Sequence, residues 1–291
     1  MKLELKVPLL YTLERYKRRH DSNWRTSVVA YFSSMLRDYI WIPIYALVVL
    51  EGLDLFNISG FIFHLLVFSV AYEVGYIYTD NISIKKENKK ICKIIYKNPV
   101  PERHVYFAIF MRIIIVYGIL SFVDSWVNVE IVWLYTSMFL IYFVYGNLKE
   151  RFRVPLFMIL RFLKGFIPSA FLILAMDHVP FMLVTLLLLS TACFFSIEYA
   201  SRKMDFWYIN IQLMKYVWIR YLIIFLFLAP YIIFDQIPLR DFSLVFTIYV
   251  GTHLTMILLS LLRNFVGKQI SLQDIEQIFS ANSSVINESD E

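Results

Sequence analysis

Apolar residues gather into eight runs along this chain, at about 39–55, 58–79, 105–123, 129–146, 154–176, 179–200, 216–235 and 241–263. Each run approaches the ~20 residues that a helix needs to cross a hydrocarbon layer, so the pattern predicts an all-α, polytopic membrane protein. The first run is the weakest: Arg37 and Asp38 border it, and Glu51 and Asp54 close it. Just ahead of it, residues 24–37 read as an amphipathic helix lying on a membrane surface.

The polar connections between runs alternate in charge. Lys and Arg crowd the segment before the first run and the one after the second (Lys85, Lys86, Lys89, Lys90, Lys93, Lys97, Arg103). They also crowd the segments after the fourth (Lys149, Arg151, Arg153) and the sixth (Arg202, Lys203, Lys215). The intervening connections EGLDLFN, DSWVN and MDHVP hold neither residue, and DQIPLR holds only Arg240. This positive-inside pattern predicts a cytoplasmic N-terminus and cytoplasmic polar connections in a multi-pass protein of the cytoplasmic membrane. The expected layout is a basic arm with the interfacial helix over 1–37, a helical membrane domain over 38–264, and a cytoplasmic, partly disordered tail over 265–291. The opening residues have no apolar core of the length a cleaved signal needs and read as a retained arm.

Composition agrees with the pattern. Hydrophobic residues make up 59% of the chain and charged residues 18%, with 26 Phe and 20 Tyr. That is more apolar surface than a soluble domain of this length hides. Most of the aromatic rings are expected at lipid-facing and interfacial positions, with a few available to line an isoprenoid tunnel. The net charge of +5 matters less than its distribution. Cys92 and Cys193 are too few for a disulfide framework and have no metal-ligand spacing. The five histidines are scattered, and His253 in the last run reads as a hydrogen-bonded packing residue. No Gly-rich phosphate loop, His-Glu-x-x-His or Gly-x-Ser-x-Gly pattern occurs, which removes the corresponding chemistries.

The informative polar residues are acids. Glu73, Asp80 and Glu87 lie seven apart at the end of the second run, and Glu198 and Asp205 lie seven apart at the end of the sixth. Seven residues is nearly two turns, so each set shares a helix face and steps about 10 Å along the axis. Carboxylates are costly at membrane depth and usually functional there. Asp80 and Asp205 fall near helix C-termini, where the macrodipole disfavours an acid and a cation would reverse the sign. Hard carboxylate oxygens suit Mg²⁺, which takes one or two of them plus substrate phosphate oxygens. Around the acids lie Lys97, Arg103, Lys149, Arg151, Arg161, Lys164, Arg202 and Lys203. Arg161 and Lys164 are three apart and share a face. Acids for a metal and bases for phosphate oxygens suit a magnesium-diphosphate ligand. The alternatives are solvated acids at a membrane exit and bases that anchor to lipid headgroups. The two stripes begin 125 residues apart, which fits either a bundle of two similar halves or chance.

The motifs have a recognisable order. Thr79-Asp80-Asn81-Ile82-Ser83-Ile84-Lys85-Lys86-Glu87 fits the frame of the Asn-Asp-x-x-Asp-x-x-x-Asp motif that follows the second span of the UbiA superfamily of intramembrane prenyltransferases. Thr79 and Ser83 depart from that motif, and Glu87 replaces an aspartate conservatively. Lys97-Asn98-Pro99-Val100 is similar to the family's basic Pro-Ile/Leu stretch before span three, with Ala108 following. Tyr145-Gly146-Asn147-Leu148-Lys149-Glu150-Arg151 is similar to its Tyr-Ser-x-x-Leu-Lys-Arg signature after span four. At the second acidic site, Ser201-Arg202-Lys203-Met204-Asp205 is closer to the Lys-Arg-x-x-Glu pattern of the branch that transfers phosphoribose to a polyprenyl phosphate. Leu36-Arg37 followed by Trp41 resembles the start of the first span in that branch.

The resemblance implies a UbiA-like bundle of eight or nine transmembrane helices with an active site facing the cytoplasm and a place in cell-envelope chemistry. It implies Asp80, Glu87 and Asp205 as catalytic, Mg²⁺-holding acids. Arg37, Lys97, Lys149, Arg161, Lys164 and Arg202 would bind substrate. The partners implied are a diphosphate-bearing donor, a polyprenyl lipid and the surrounding membrane lipids, with no nucleic acid. Phosphoribosyl or glycosyl transfer onto a polyprenyl phosphate is the leading expectation. Prenyl transfer to an aromatic or quinone-type acceptor is the first alternative. A non-catalytic membrane protein or lipid transporter that retains the fold is the second. Glu73 and Glu198 have no counterpart in the family motif.

Overall fold

The structure, a computed structural model, describes residues 3–19, 40–50, 55–83, 100–123, 127–149, 152–203, 217–234 and 237–267, and among these it is helical with no strand. Two short helices come first, α1 (Leu3–Lys6) and α2 (Leu10–Arg19), followed by α3 (Trp41–Val49). Then come α4 (Leu55–Asn81), α5 (Glu102–Ser121), α6 (Val129–Asn147), α7 (Arg153–Phe166) and α8 (Ala170–Leu174). The chain continues through α9 (His178–Lys203), α10 (Val217–Ile233) and α11 (Leu239–Gly267). Every apolar run of the sequence therefore carries helix.

Local chemistry sets several boundaries. Asn128 caps α6 by accepting the Ile131 N–H at 3.0 Å, with Glu130 in the first turn. Pro101 precedes α5 in extended backbone, with Glu102 in the first turn. The fifth run is broken in two: Pro168 lacks an N–H and crowds the carbonyl one turn back, so a 3₁₀ turn over Ile167–Ser169 separates α7 from α8. Pro230 lies inside α10.

Among the described residues, five helical stretches are long and apolar enough to cross a membrane: Ile58–Asn81, Glu102–Ser121, Val129–Asn147, Arg153–Leu174 and His178–Ser201. Helix α3 has only nine residues, a rise of about 14 Å at 1.5 Å per residue, well short of a hydrocarbon core. The first run is thus shorter as a helix than as an apolar stretch. Outward faces are apolar too: Phe110 on α5 and Trp133 and Leu140 on α6 are exposed. Helices that are apolar on both faces are expected in lipid. Polar side chains inside these helices close onto their own backbone, as Ser69 does to the Leu65 carbonyl (2.7 Å), Thr79 to Gly75 (2.8 Å) and Ser196 to Ala192 (2.7 Å). These features are those of an integral membrane protein.

Two units divide the chain, Met1–Phe181 and Met182–Glu291. In the first, α4 is the hub and packs against α2, α5, α6, α8 and the 3₁₀ turn. Helices α4 and α6 approach closely at two glycines. A Cβ on Gly75 would overlap the Tyr142 ring, and one on Gly146 would overlap the Tyr78 ring. Each helix thus offers a backbone groove to a tyrosine of the other. Helix α3 buries Trp41, Ile42, Tyr45 and Ala46, and packs on α8. In the second unit, α10 packs on α11, and Tyr249 of α11 lies at the centre of a small polar cluster. Its ring meets Tyr221, its hydroxyl lies 3.3 Å from that of Thr191, and its carbonyl lies 2.8 Å from Nδ1 of the buried His253. His253 is therefore a hydrogen-bonded packing residue.

Candidate functional site

Helix α4 carries Glu73 and Asp80 of the first acidic stripe, and both face the N-terminal helices. At the inner level Glu73 is fully buried. Its Oε2 accepts the Arg112 Nε–H of α5 at 2.6 Å and the Leu9 N–H at 2.9 Å, while Oε1 accepts the Thr12 N–H at 2.9 Å. Leu9 and Thr12 supply backbone donors at the start of α2, where a helix leaves its N–H groups without internal partners. Leu9 has no polar side chain with which to cap, so Glu73 serves as the cap from another helix and meets the positive pole of α2. Arg112 does the converse for α1. Its Nη1 donates to the Leu5 carbonyl (2.9 Å) and its Nη2 to the Val7 carbonyl (3.0 Å), satisfying acceptors at the end of that helix. Nη1 also donates to the Ala108 carbonyl of its own helix at 3.1 Å. One ion pair therefore caps two helices and fixes the bend between them. Leu9, at that bend, has φ 67°, the left-handed region that a bulky side chain adopts only under constraint.

Two turns along, Asp80 is nearly as buried but closer to the surface. Arg15 of α2 donates to it through Nε at 2.7 Å and Nη2 at 3.5 Å, and the Tyr11 hydroxyl donates at 3.4 Å. Asn81 donates to that hydroxyl at 3.0 Å. The Arg15 guanidinium also stacks over the Tyr76 ring, 4.1 Å from its centroid.

From Tyr76 a series of rings leads sideways into the bundle. Tyr76 meets Tyr72 edge to face at 4.8 Å, and Tyr72 meets Tyr142 of α6 at 6.1 Å. The Lys164 ammonium of α7 lies 5.3 Å from the Tyr72 centroid, and Lys164 is buried. The Tyr142 hydroxyl is buried without a hydrogen-bond partner. Beside this series, Arg153 of α7 lies over Tyr145 at 5.4 Å and donates through Nε to the Leu148 carbonyl at 2.8 Å. Carboxylate, cations and phenol rings thus share one region between α2, α4, α6 and α7.

Of the residues singled out from the sequence, Asp80 and Lys164 stand at opposite ends of this series, Asp80 through Arg15 and Tyr76 and Lys164 through Tyr72. Arg161 on α7 is half-buried and Lys149 is exposed just past α6. Glu87, Asp205, Arg37 and Lys97 lie outside the described residues, as does the amphipathic segment 24–37, and Arg202 is described only as backbone of α9. Glu198 on the second stripe is buried. Among the described residues no group of three or more His, Cys, Asp and Glu is placed to hold a metal ion. Asp80 offers the hard oxygens that Mg²⁺ prefers, but Arg15 already uses them, and the Thr79 hydroxyl is turned to backbone. Sequence reasoning passed over Arg112, Arg15 and Tyr11. A signal for the first was present: a lone arginine inside an apolar run needs a buried acid, and Glu73 sits in the preceding run.

No family model, no curated protein and no solved structure matches this chain.

Proposed function

We propose that this chain is a UbiA-type intramembrane transferase that uses a magnesium-diphosphate donor and a polyprenyl lipid, with phosphoribosyl or glycosyl transfer onto a polyprenyl phosphate as its reaction. One observation carries the reading: a buried aspartate at the end of a candidate span is linked through Arg15 and edge-to-face tyrosines to a buried lysine. It is supported by the motif order described above. In such a reaction a lipid phosphate oxygen bonds to the anomeric carbon while the bond from that carbon to diphosphate breaks, and the electron pair leaves with diphosphate. Asp80 would hold magnesium, with Glu87 and Asp205 as the further acids that the resemblance implies, and the ion would neutralise the departing charge. Lys164, with Arg161, Lys149, Arg202, Lys97 and Arg37, would bind phosphate oxygens. The tyrosine faces would stabilise positive charge developing at the donor carbon. The site would open to the cytoplasm and laterally to lipid. Prenyl transfer from a polyprenyl diphosphate to a ring acceptor uses the same donor chemistry.

The test is to incubate membranes carrying the protein with labelled phosphoribosyl diphosphate and, separately, labelled prenyl diphosphate. Label is expected to enter lipid from the first, and Asp80→Asn is expected to abolish incorporation in a protein that still folds. Full incorporation by Asp80→Asn would remove the metal-site assignment. A second reading has its own observation: the Arg15 guanidinium holds Asp80, as in a membrane protein that keeps the fold for a non-catalytic role. Absence of label from lipid with either donor would favour it.

A further inference from the structure

The N-terminal helices are held at two levels that differ in kind. The inner tie, Glu73 to Arg112, has side chains 0% and 1% exposed and includes four hydrogen bonds to backbone of residues 5–12. The outer tie, Arg15 to Asp80, has side chains 16% and 6% exposed and is made between side chains. Tyr11 and Asn81 extend the outer tie through one phenol hydroxyl. Between the two levels lies the start of α2. The inner tie fixes that start against α4 and α5, whereas the length of α2 beyond Thr12 is drawn in through Arg15.

We propose that the outer half of α2 is a gate on Asp80: Arg15 occupies the carboxylate as a tethered cation, and a divalent cation with diphosphate displaces it while Glu73 and Arg112 keep the base of the arm in place. This rests on the functional reading above. The contact has the chemistry of a competitor. A guanidinium binds a carboxylate through paired N–H groups without dehydrating a metal ion, and at the C-terminal end of α4 the helix dipole favours it. A divalent ion brings twice the charge to the same oxygens. The inner tie is unsuited to such an exchange, because moving it would strand a buried carboxylate and four backbone bonds.

The experiment uses the full chain in lipid nanodiscs with Cys92 and Cys193 replaced by serine. Spin labels are placed at Lys17→Cys on α2 and Tyr106→Cys on α5, both on exposed side chains. Distances are measured without ligand, with Mg²⁺ alone, with inorganic diphosphate alone and with both, and binding of the pair is followed by calorimetry. Mg²⁺ and diphosphate together are expected to lengthen and broaden the distance distribution. Arg15→Gln is expected to give that distribution with no ligand, and to bind the pair about tenfold more tightly if the arm is closed about nine-tenths of the time. Arg15→Lys, which keeps the charge but loses the planar fork, is expected to fall between. Binding with equal affinity in wild type and Arg15→Gln, with distances unchanged, would overturn the gate and leave the site reading standing. An arm released in Arg15→Gln without a gain in affinity would also overturn it. No binding in any of these proteins would overturn gate and site together.

Discussion

Glu73 and Arg112 are the residues on which the described part of the first unit depends most directly. Two opposite charges buried together contribute little net stability against apolar replacements, but removing one partner strands the other and costs about 3–5 kcal/mol. Arg112→Met is therefore expected to lower stability by that order and to expose the arm to trypsin, both measurable on protein purified in detergent. Adding Glu73→Gln to Arg112→Met is expected to recover part of the loss, because no charge is left buried, although the amide oxygen can accept from only one of the two backbone N–H groups. Tyr142 predicts a change of opposite sign. Its hydroxyl is buried without a partner, and an unsatisfied buried hydroxyl costs on the order of 1 kcal/mol or more. Tyr142→Phe keeps the ring against Gly75 and is expected to raise the thermal midpoint of unfolding. A lowered midpoint would mean that the hydroxyl has a partner in the membrane.

At the scale of elements, the apolar runs foretold nearly every helix of the bundle, because a span is encoded by its own residues: about 20 consecutive apolar positions suffice. The break in the fifth run follows from Pro168 and is equally local. The arm was legible only as a basic segment. Helix α2 owes its place to Glu73 and Asp80, more than sixty residues away, and no local periodicity records such a contact. The acidic stripe was visible as a stripe, but its meaning was not. The stripe runs along a second helix lying beside it, with Leu9 and Thr12 meeting Glu73 and with Tyr11 and the long side chain of Arg15 reaching Asp80. Its spacing reads as a ligand ladder or as a docking rail until the partner helix is seen.

At the scale of the molecule, apolar faces turned outward make a prediction that does not depend on any site. Trp133 is 65% exposed on α6. In proteoliposomes, brominated lipids are expected to quench its emission, measured in a variant in which Trp133 is the one tryptophan kept, and aqueous iodide is expected to leave it nearly unchanged. The reverse pattern would place α6 in water. The double cap on the arm has a further consequence, in time rather than space. Arg112 binds the Leu5 carbonyl across 107 residues of chain. At a synthesis rate of roughly 5–20 residues per second, the first helices wait about 5–20 s before the residue that caps α1 is made. During that interval Glu73 emerges ahead of its arginine, so the insertion machinery receives α4 with an unpaired acid and must hold it until α5 follows. The arm is synthesised before the residues that hold it and docks only after them.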